Sequence, residues 1–406
     1  MNPTNNASTL QRFNASTLQR FLKSVSLYFS TIGGCVLFVL FSVRIAPPVQ
    51  AQSTPTPTPT CTATPTPTPV QSCTVHSNDP CQSTPCLAPS YPPDTPHAVP
   101  IPTPFQPHDA AGNLLPTVLE WRIFPPTPEP TSHKGPIVLL LHEGEFDSGN
   151  IFSRLLTDPE TDLTAEGFYV FVPAWPLAPC GLIKGQACHA NDPSSGRPPQ
   201  QTDAIKAFIR AARADSHYDG WIAIVGGSAG GSHAAFVTFD ISQTSVWPFW
   251  NSGGHDDRPD VAVCLSGSYD FAARTTENYP AVPGNPVDKF NDIIENYTGT
   301  CVRYDPNHGP DQWSVSPVGI LQPFTTQFPF KPMYFINSQY DSMPFHQIID
   351  VQCALSAAGV SSTSYQVLTI PNSREHAFAY WRSWDGQPGS ILTIVGRVVS
   401  FLNAHR

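Results

Sequence analysis

The chain has 406 residues and a formal net charge of -10 at pH 7. No basic cluster interrupts this acidity, so the composition excludes nucleic acid as a partner and gives no reason to expect binding to anionic lipid surfaces. Many of the 46 prolines precede Lys134. We therefore expect one large folded core from about Thr117 onward, for which the remaining chain is long enough.

Residues 1–51 contain an export sequence. Positive charges precede the apolar stretch Ser24–Val43, and Ala51 follows at a position typical of signal cleavage. The pattern predicts a secretory signal peptide removed after Ala51. An uncleaved membrane anchor through Ser24–Val43 is the alternative, because the stretch is close to spanning length. In both cases we expect the rest of the chain to be secreted or displayed at the cell surface.

Residues 52–116 form a Pro-rich linker. Ser53–Val70 consists almost wholly of Thr and Pro, and proline blocks regular secondary structure and favours an extended, solvated chain. We therefore predict a disordered N-terminal region. Export would allow disulfides among its cysteines, which lack the Cys-x-x-Cys spacing of a metal site: Cys61, Cys73, Cys81 and Cys86.

Three later cysteines have different surroundings. Cys180 and Cys188 bracket a loop, and we expect a disulfide between them. Cys264 lies in an apolar strand and is expected to be a buried free thiol.

From Thr117 to the C-terminus, apolar runs alternate with helical patterns. This alternation predicts an α/β fold, with a mostly parallel central sheet and helices on both faces. Residues 270–323 break the pattern and are predicted to form a cap or lid insertion. The predicted strands are 117–124 at the sheet edge, 136–141, 167–172, 221–225, 261–265, 333–336 and 364–370. The predicted helices are 201–212, 345–358 and 391–404, and residues 155–166 are predicted to be a helix or a crossover connection.

The segment Gly226–Gly230 has the sequence Gly-Gly-Ser-Ala-Gly and follows the apolar strand 221–225. A strand that leads through Gly-x-Ser-x-Gly into a helix is typical of a nucleophile elbow, in which a sharp turn presents the serine hydroxyl. Ser228 is therefore the predicted nucleophile. A glycine-rich turn without chemistry is the alternative.

A serine hydroxyl needs a general base, and the base needs a residue that orients it. In this arrangement the chain order is Ser, then Asp or Glu, then His. Asp341 follows the strand 333–336, and His376 lies in the loop after the strand 364–370. We predict Asp341 as the orienting acid and His376 as the base.

The reaction also needs hydrogen-bond donors for the developing oxyanion. Ala229 offers one backbone N–H beside the nucleophile. The loop after the strand 136–141 is expected to supply others, from the backbones of Gly144 and Glu145. We expect His142 to support this loop rather than to take part in catalysis.

Several short stretches resemble bacterial serine esterases of the α/β-hydrolase superfamily, near the hormone-sensitive-lipase-like and feruloyl-esterase-like groups. The resemblance covers about residue 117 to the end. It implies an α/β-hydrolase fold, matches Asp341 and His376 to the acid and base positions, and implies no metal or organic cofactor. The loop 142–145 departs from the family, because two glycines of its His-Gly-Gly-Gly motif are replaced by Glu. The similar stretches are 142–145, 175–179, 199–204, 226–231, 268–270 and 316–317.

These observations predict an exported serine carboxylesterase that acts on a small-molecule or polymer-linked ester through an acyl-enzyme on Ser228. A secreted peptidase of the prolyl-oligopeptidase type remains an alternative, although no propeller-sized segment precedes the predicted fold. A non-catalytic surface protein that binds through the same scaffold is the other. The oligomeric state stays open.

Overall fold

The computed structural model describes residues 98–109, 111–115, 117–178, 196–242, 256–272, 287–299 and 309–406. The predicted signal peptide or anchor, most of the linker and the predicted Cys180–Cys188 disulfide lie outside these residues. Within the described ranges, no helix has the length and apolarity needed to cross a bilayer.

An eight-stranded sheet forms the centre of the fold, in the order β1-β2-β4-β3-β5-β6-β7-β8. The pairs β1–β2 and β2–β4 are antiparallel, and the remaining pairs are parallel. The strands are β1 Val99–Pro100, β2 Glu120–Phe124, β3 Gly135–Leu141, β4 Tyr169–Ala174, β5 Tyr218–Gly227, β6 Val261–Leu265, β7 Met333–Ser338 and β8 Tyr365–Ile370.

Helices cover both faces of the sheet, which confirms the predicted α/β class. Side chains of β3 alternate between the faces: Leu139 belongs to the buried cluster that includes residues of α2, α3 and α6, whereas Leu140 belongs to the cluster that includes residues of α1 and α7. Each fully buried leucine contributes roughly 1.5–3 kcal/mol. The described helices are α1 Thr157–Ala165, α2 Gln200–Ala214, α3 Ala229–Phe239, α4 Val287–Thr298, α5 Gly309–Ser314, α6 His346–Ala357 and α7 Ile394–Ala404.

The sheet begins earlier than the sequence predicted. Val99 pairs with Trp121, and the neighbouring Ile101 is buried. The predicted boundary at Thr117 is therefore too late, and the strand 117–124, which begins at Glu120, is not the edge strand. The proline content of this segment predicts a linker and not a strand. An edge strand tolerates proline because its outer backbone groups need no partner.

The remaining elements lie close to their predicted positions. Strand β6 has the predicted bounds, and Cys264 within it is a buried free thiol as expected. Helices α4 and α5 lie in the segment predicted as a cap. The carboxyl ends of the parallel strands share one edge of the sheet, where Leu141 pairs with Gly226 and Gly227 pairs with Leu265.

Candidate active site

Ser228 occupies a strained turn between β5 and α3. Its backbone has φ 54° and ψ -118°, a conformation that costs of order 1–3 kcal/mol for a residue with a Cβ and clusters at functional sites. The turn is tight, because a Cβ added to Gly226 would lie 2.1 Å from the carbonyl oxygen of Gly230. The sequence Gly-x-Ser-x-Gly therefore folds as the predicted elbow.

The backbone around the turn is anchored to the neighbouring strand. The Ser228 N–H donates to the Leu265 carbonyl at 2.8 Å, and the Ser228 carbonyl accepts the Ser232 N–H at 3.0 Å. The first N–H groups of a helix have no acceptor within that helix, and Ala229 is the first residue of α3. Its N–H is thus directed out of the helix beside the serine.

Asp341 and His376 are brought together from the ends of β7 and β8. His376 Nδ1 lies 2.6 Å from Asp341 Oδ1. The aspartate side chain is fully buried, whereas the imidazole is 27% exposed. An ionised carboxylate only accepts hydrogen bonds, so the proton lies on Nδ1 and Nε2 is left as the basic nitrogen.

The charge environment of His376 favours its protonated form. Burial lowers the pKa of His376, but the charge and hydrogen bond of Asp341, with the charges of Glu143 and Glu145, outweigh this effect, and the net pKa lies above the ordinary value. The same negative charges stabilise the imidazolium that forms when His376 accepts a proton.

The loop that carries His376 packs against the serine turn. A Cβ added to Gly227 would lie 2.8 Å from Phe378 Cε2 and 3.1 Å from Ala377 Cβ. Among the described residues, no hydrogen bond joins the Ser228 hydroxyl to the His376 imidazole. In enzymes without substrate such hydrogen bonds are often long and tighten when substrate binds.

The acid is held by groups that sequence reasoning missed. Asp341 Oδ1 also accepts the Met343 N–H at 2.8 Å, and Oδ2 accepts the Ser266 hydroxyl at 2.5 Å. The Ser266 oxygen lies 2.9 Å from the Tyr380 hydroxyl. Ser266 directly follows β6, the strand beside β7, so its place at the carboxyl edge of the sheet was the available signal.

The loop after β3 has an unusual backbone. Gly144, Glu145 and Phe146 have φ values of 132°, 55° and 67°. The Gly144 carbonyl accepts the Ser148 N–H at 2.8 Å within the loop. Because a trans peptide directs its C=O and N–H to opposite sides, the Glu145 N–H points away from the loop interior.

The same argument applies one peptide earlier. The Glu143 carbonyl lies 2.6 Å from His142 Nδ1. Burial lowers the pKa of His142 to about 4, so the ring is neutral and its Nδ1–H donates to that carbonyl. The Gly144 N–H consequently points to the opposite side of the peptide. His142 also stacks on Trp175 at 3.7 Å between ring centroids, in agreement with a supporting role.

A buried amide holds the far side of this loop. Gln201 Nε2 donates to the Phe146 carbonyl at 2.8 Å, and Gln201 Oε1 accepts from His233 Nε2 at 2.6 Å. Burial and the charge of His142 lower the pKa of His233 to about 3. The neutral His233 thus fixes the orientation of Gln201, which in turn fixes the loop.

The predicted cap shares a buried apolar cluster with the serine turn and with the loop after β3. Phe290, Ile294 and Tyr297 of α4 lie in one buried cluster with Ala229 and Phe146. In the described part of the chain, no group of His, Cys, Asp and Glu side chains is arranged to hold a metal ion.

No protein-family model and no curated protein matches the chain. Solved structures do match. A truncated carbohydrate esterase from gut microbiota has 17% identity and a TM-score of 0.50, covering 74% of this chain and 95% of that chain. Esterase B from Lactobacillus rhamnosis has 15% identity and a TM-score of 0.49, covering 70% and 79%. A butyrate-bound esterase from the Planctomycetes species Thermogutta terrifontis has 14% identity and a TM-score of 0.47, covering 71% and 88%.

Identities this low establish the fold alone. The similarity to the gut carbohydrate esterase extends over nearly all of that protein. It agrees with the mostly parallel sheet and with the strained serine turn after the central strand β5. The chain therefore has the α/β-hydrolase fold.

Proposed function

We propose that the chain is an exported serine hydrolase that cleaves carboxylic ester bonds through an acyl-enzyme on Ser228. The observation that carries the proposal is the 2.6 Å hydrogen bond between Asp341 and His376, on a loop packed against the strained Ser228 turn. The structural neighbours are esterases, which favours an ester over a peptide as the substrate. Export rests on the sequence of residues 1–51.

In the proposed first step, Ser228 Oγ bonds to the ester carbonyl carbon and its proton moves to His376 Nε2. Asp341 holds the Nδ1–H tautomer and stabilises the imidazolium that forms. The C–O bond to the alcohol then breaks, and the imidazolium returns its proton to the departing oxygen. Water repeats the sequence on the acyl-enzyme and releases the acid.

The carbonyl oxygen becomes negative in each tetrahedral intermediate. The backbone N–H groups of Gly144, Glu145 and Ala229 are the proposed donors to it. Removal of one such donor costs roughly 3–4 kcal/mol of transition-state stabilisation. Backbone donors do not depend on the side chain, so glutamate at position 145 is compatible with this role.

The test uses the purified chain with p-nitrophenyl acetate and butyrate, and a fluorophosphonate probe followed by peptide mass spectrometry. We expect hydrolysis and an adduct on Ser228, both lost in Ser228→Ala. Ser400→Ala, an exposed serine on α7, is the matched control and retains both. Equal hydrolysis by the Ser228→Ala protein would refute the assignment, and a wild-type chain without adduct or turnover would favour a binding role.

A further inference from the structure

Glu143 links two loops of the proposed active site. It stands in the loop after β3, where the resembling esterases carry glycine. Its Oε1 accepts the backbone N–H of Phe378 at 2.7 Å, in the turn that begins directly after His376. Glycine at this position would offer no acceptor to that turn.

The Phe378 amide depends on this carboxylate. Phe378 is 4% exposed, and a buried N–H that loses its acceptor costs about 1–3 kcal/mol. The preceding Ala377 N–H is held separately, by the Ser266 hydroxyl at 3.0 Å. Two side chains from different strand ends thus fix successive peptides after the imidazole.

Glu143 also acts on the charge of His376. The groups that influence the imidazole are Asp341, Glu143 and Glu145. Burial raises the pKa of Glu143, the charge of His376 opposes this rise, and the charge of Asp341 adds to it. Burial raises the pKa of the Tyr380 hydroxyl, and the charges of Asp341 and Glu143 add to this rise.

We propose that Glu143 is a positioning residue for His376: its carboxylate fixes the backbone turn after the imidazole, and its negative charge adds to that of Asp341 in stabilising the imidazolium. The proposal rests on the proposed function. The side chain of Glu143, which stands where the resembling esterases carry glycine, thus supports the base His376. The backbone N–H groups of the next two residues are the proposed donors to the oxyanion.

The hydrogen bond and the charge are separated by two substitutions. Glu143→Gln keeps an acceptor for the Phe378 N–H but removes the charge, whereas Glu143→Ala removes both. Glu375→Gln is the matched control, because Glu375 is an exposed carboxylate immediately before His376. Circular dichroism and thermal unfolding establish that each variant is folded. Ester hydrolysis is then measured as kcat and KM across pH.

We expect Glu143→Ala to lower kcat roughly tenfold with little change in KM, and Glu143→Gln to recover most of that loss. A lost negative charge lowers the pKa of the neighbouring imidazole. The acidic limb of kcat/KM should therefore move to lower pH, by roughly half a unit, in Glu143→Gln. Glu375→Gln should leave it in place.

Wild-type kcat in a folded Glu143→Ala protein would overturn the proposal, as would an unmoved acidic limb in Glu143→Gln. If Glu143→Ala does not fold, the limb of Glu143→Gln decides alone. Failure of the proposed function has a different signature, since the wild-type chain itself would then neither hydrolyse esters nor react with the fluorophosphonate.

Discussion

The Ser266 hydroxyl donates a 2.5 Å hydrogen bond to Asp341 Oδ2 and accepts the Ala377 N–H at 3.0 Å. One buried oxygen thus connects the acid after β7 to the turn that follows His376. Ser266 itself has φ 50° and is fully buried. Its position is therefore specified by the fold, and the relative placement of Asp341 and His376 depends on it.

Ser266→Ala should reduce both activity and stability. It leaves the Ala377 N–H without an acceptor and Asp341 Oδ2 without a donor, which costs about 1–3 kcal/mol in the free energy of unfolding. We expect kcat/KM to fall roughly tenfold or more as the imidazole loses its alignment. Ester hydrolysis and urea unfolding measure the two effects.

Ser338→Ala is the control for this prediction. Ser338 is also buried, at the end of β7, but its hydroxyl donates to Ser373 and not to Asp341. It should cost about 1 kcal/mol of stability and leave kcat/KM unchanged. Equal losses of activity in the two variants would contradict a specific role for Ser266.

Gly226→Ala should prevent folding of the serine turn. The added Cβ would lie 2.1 Å from the Gly230 carbonyl oxygen, and that oxygen belongs to packed backbone and not to a flexible side chain. We expect a loss of about 4 kcal/mol or more, seen as insoluble protein or a sharply lower thermal midpoint. Gly396→Ala in α7, where a Cβ has ordinary contacts, should instead stabilise by about 0.5–1 kcal/mol. A soluble Gly226→Ala protein with the wild-type midpoint would disprove the packing argument.

The buried histidines predict a loss of stability in acid. Burial and the charge of His142 lower the pKa of His233 to about 3, whereas an unfolded histidine titrates near 6.5. Below about pH 6.5 the unfolded chain binds a proton that the folded chain excludes, so the free energy of unfolding falls as pH falls. His233 contributes on the order of 3 kcal/mol to this loss by pH 4.

A comparison of variants separates the contribution of His233 to this pH dependence from the contributions of other titrating residues. Burial raises the pKa of Glu160 to about 7, and this shift acts with the opposite sign as pH falls from 7 to 4.5. His233→Gln keeps a donor for Gln201 and should flatten the decline between pH 6.5 and pH 4. His133→Gln, an exposed histidine, should not. Parallel stability curves for wild type and His233→Gln would rule out the assignment.

The parallel part of the sheet could be predicted because its strands are continuous apolar runs. Val261–Leu265 is such a run, and its bounds are those of β6. Strand β1 could not be predicted, since Val99–Pro100 has only two residues and depends on pairing with a partner distant in sequence. Tertiary pairing, not local pattern, makes that segment a strand.

The residues of the candidate site also divide into those that the sequence could predict and those that it could not. Asp341 and His376 could be located because each follows a recognisable strand, and the fold brings strand ends to one edge. Ser266 also directly follows a strand, but its hydrogen bonds, like those of Glu143 and Tyr380, are contacts between residues distant in sequence, which local patterns do not show. Glu143 meets Phe378 across 235 positions of the chain, a relationship that no local pattern carries.

The cap helix α4 packs against the loop after β3, which contains the proposed oxyanion donors Gly144 and Glu145. The rings of Tyr297 and Phe146 stack at 4.2 Å with an interplanar angle of 11°. Next to them, Asn296 Nδ2 donates to Asp147 Oδ2 at 3.1 Å. Gln201 holds the Phe146 carbonyl from the opposite side, so the loop backbone is fixed between the cap and the core.

Tyr297→Ala should therefore disturb the alignment of the proposed oxyanion donors in this loop while leaving Ser228 unchanged. Aromatic pairs contribute about 0.5–1.5 kcal/mol beyond the area they bury, and we expect kcat to fall roughly tenfold because the donors lose their alignment. Tyr297→Phe keeps the stacked ring and should recover most of the activity. Trp313→Ala, which removes an exposed side chain of α5 in the same cap, should have little effect. Steady-state ester hydrolysis with all three proteins decides the matter: if Trp313→Ala and Tyr297→Ala lower kcat equally, the cap acts as a whole and not through the contact with Phe146.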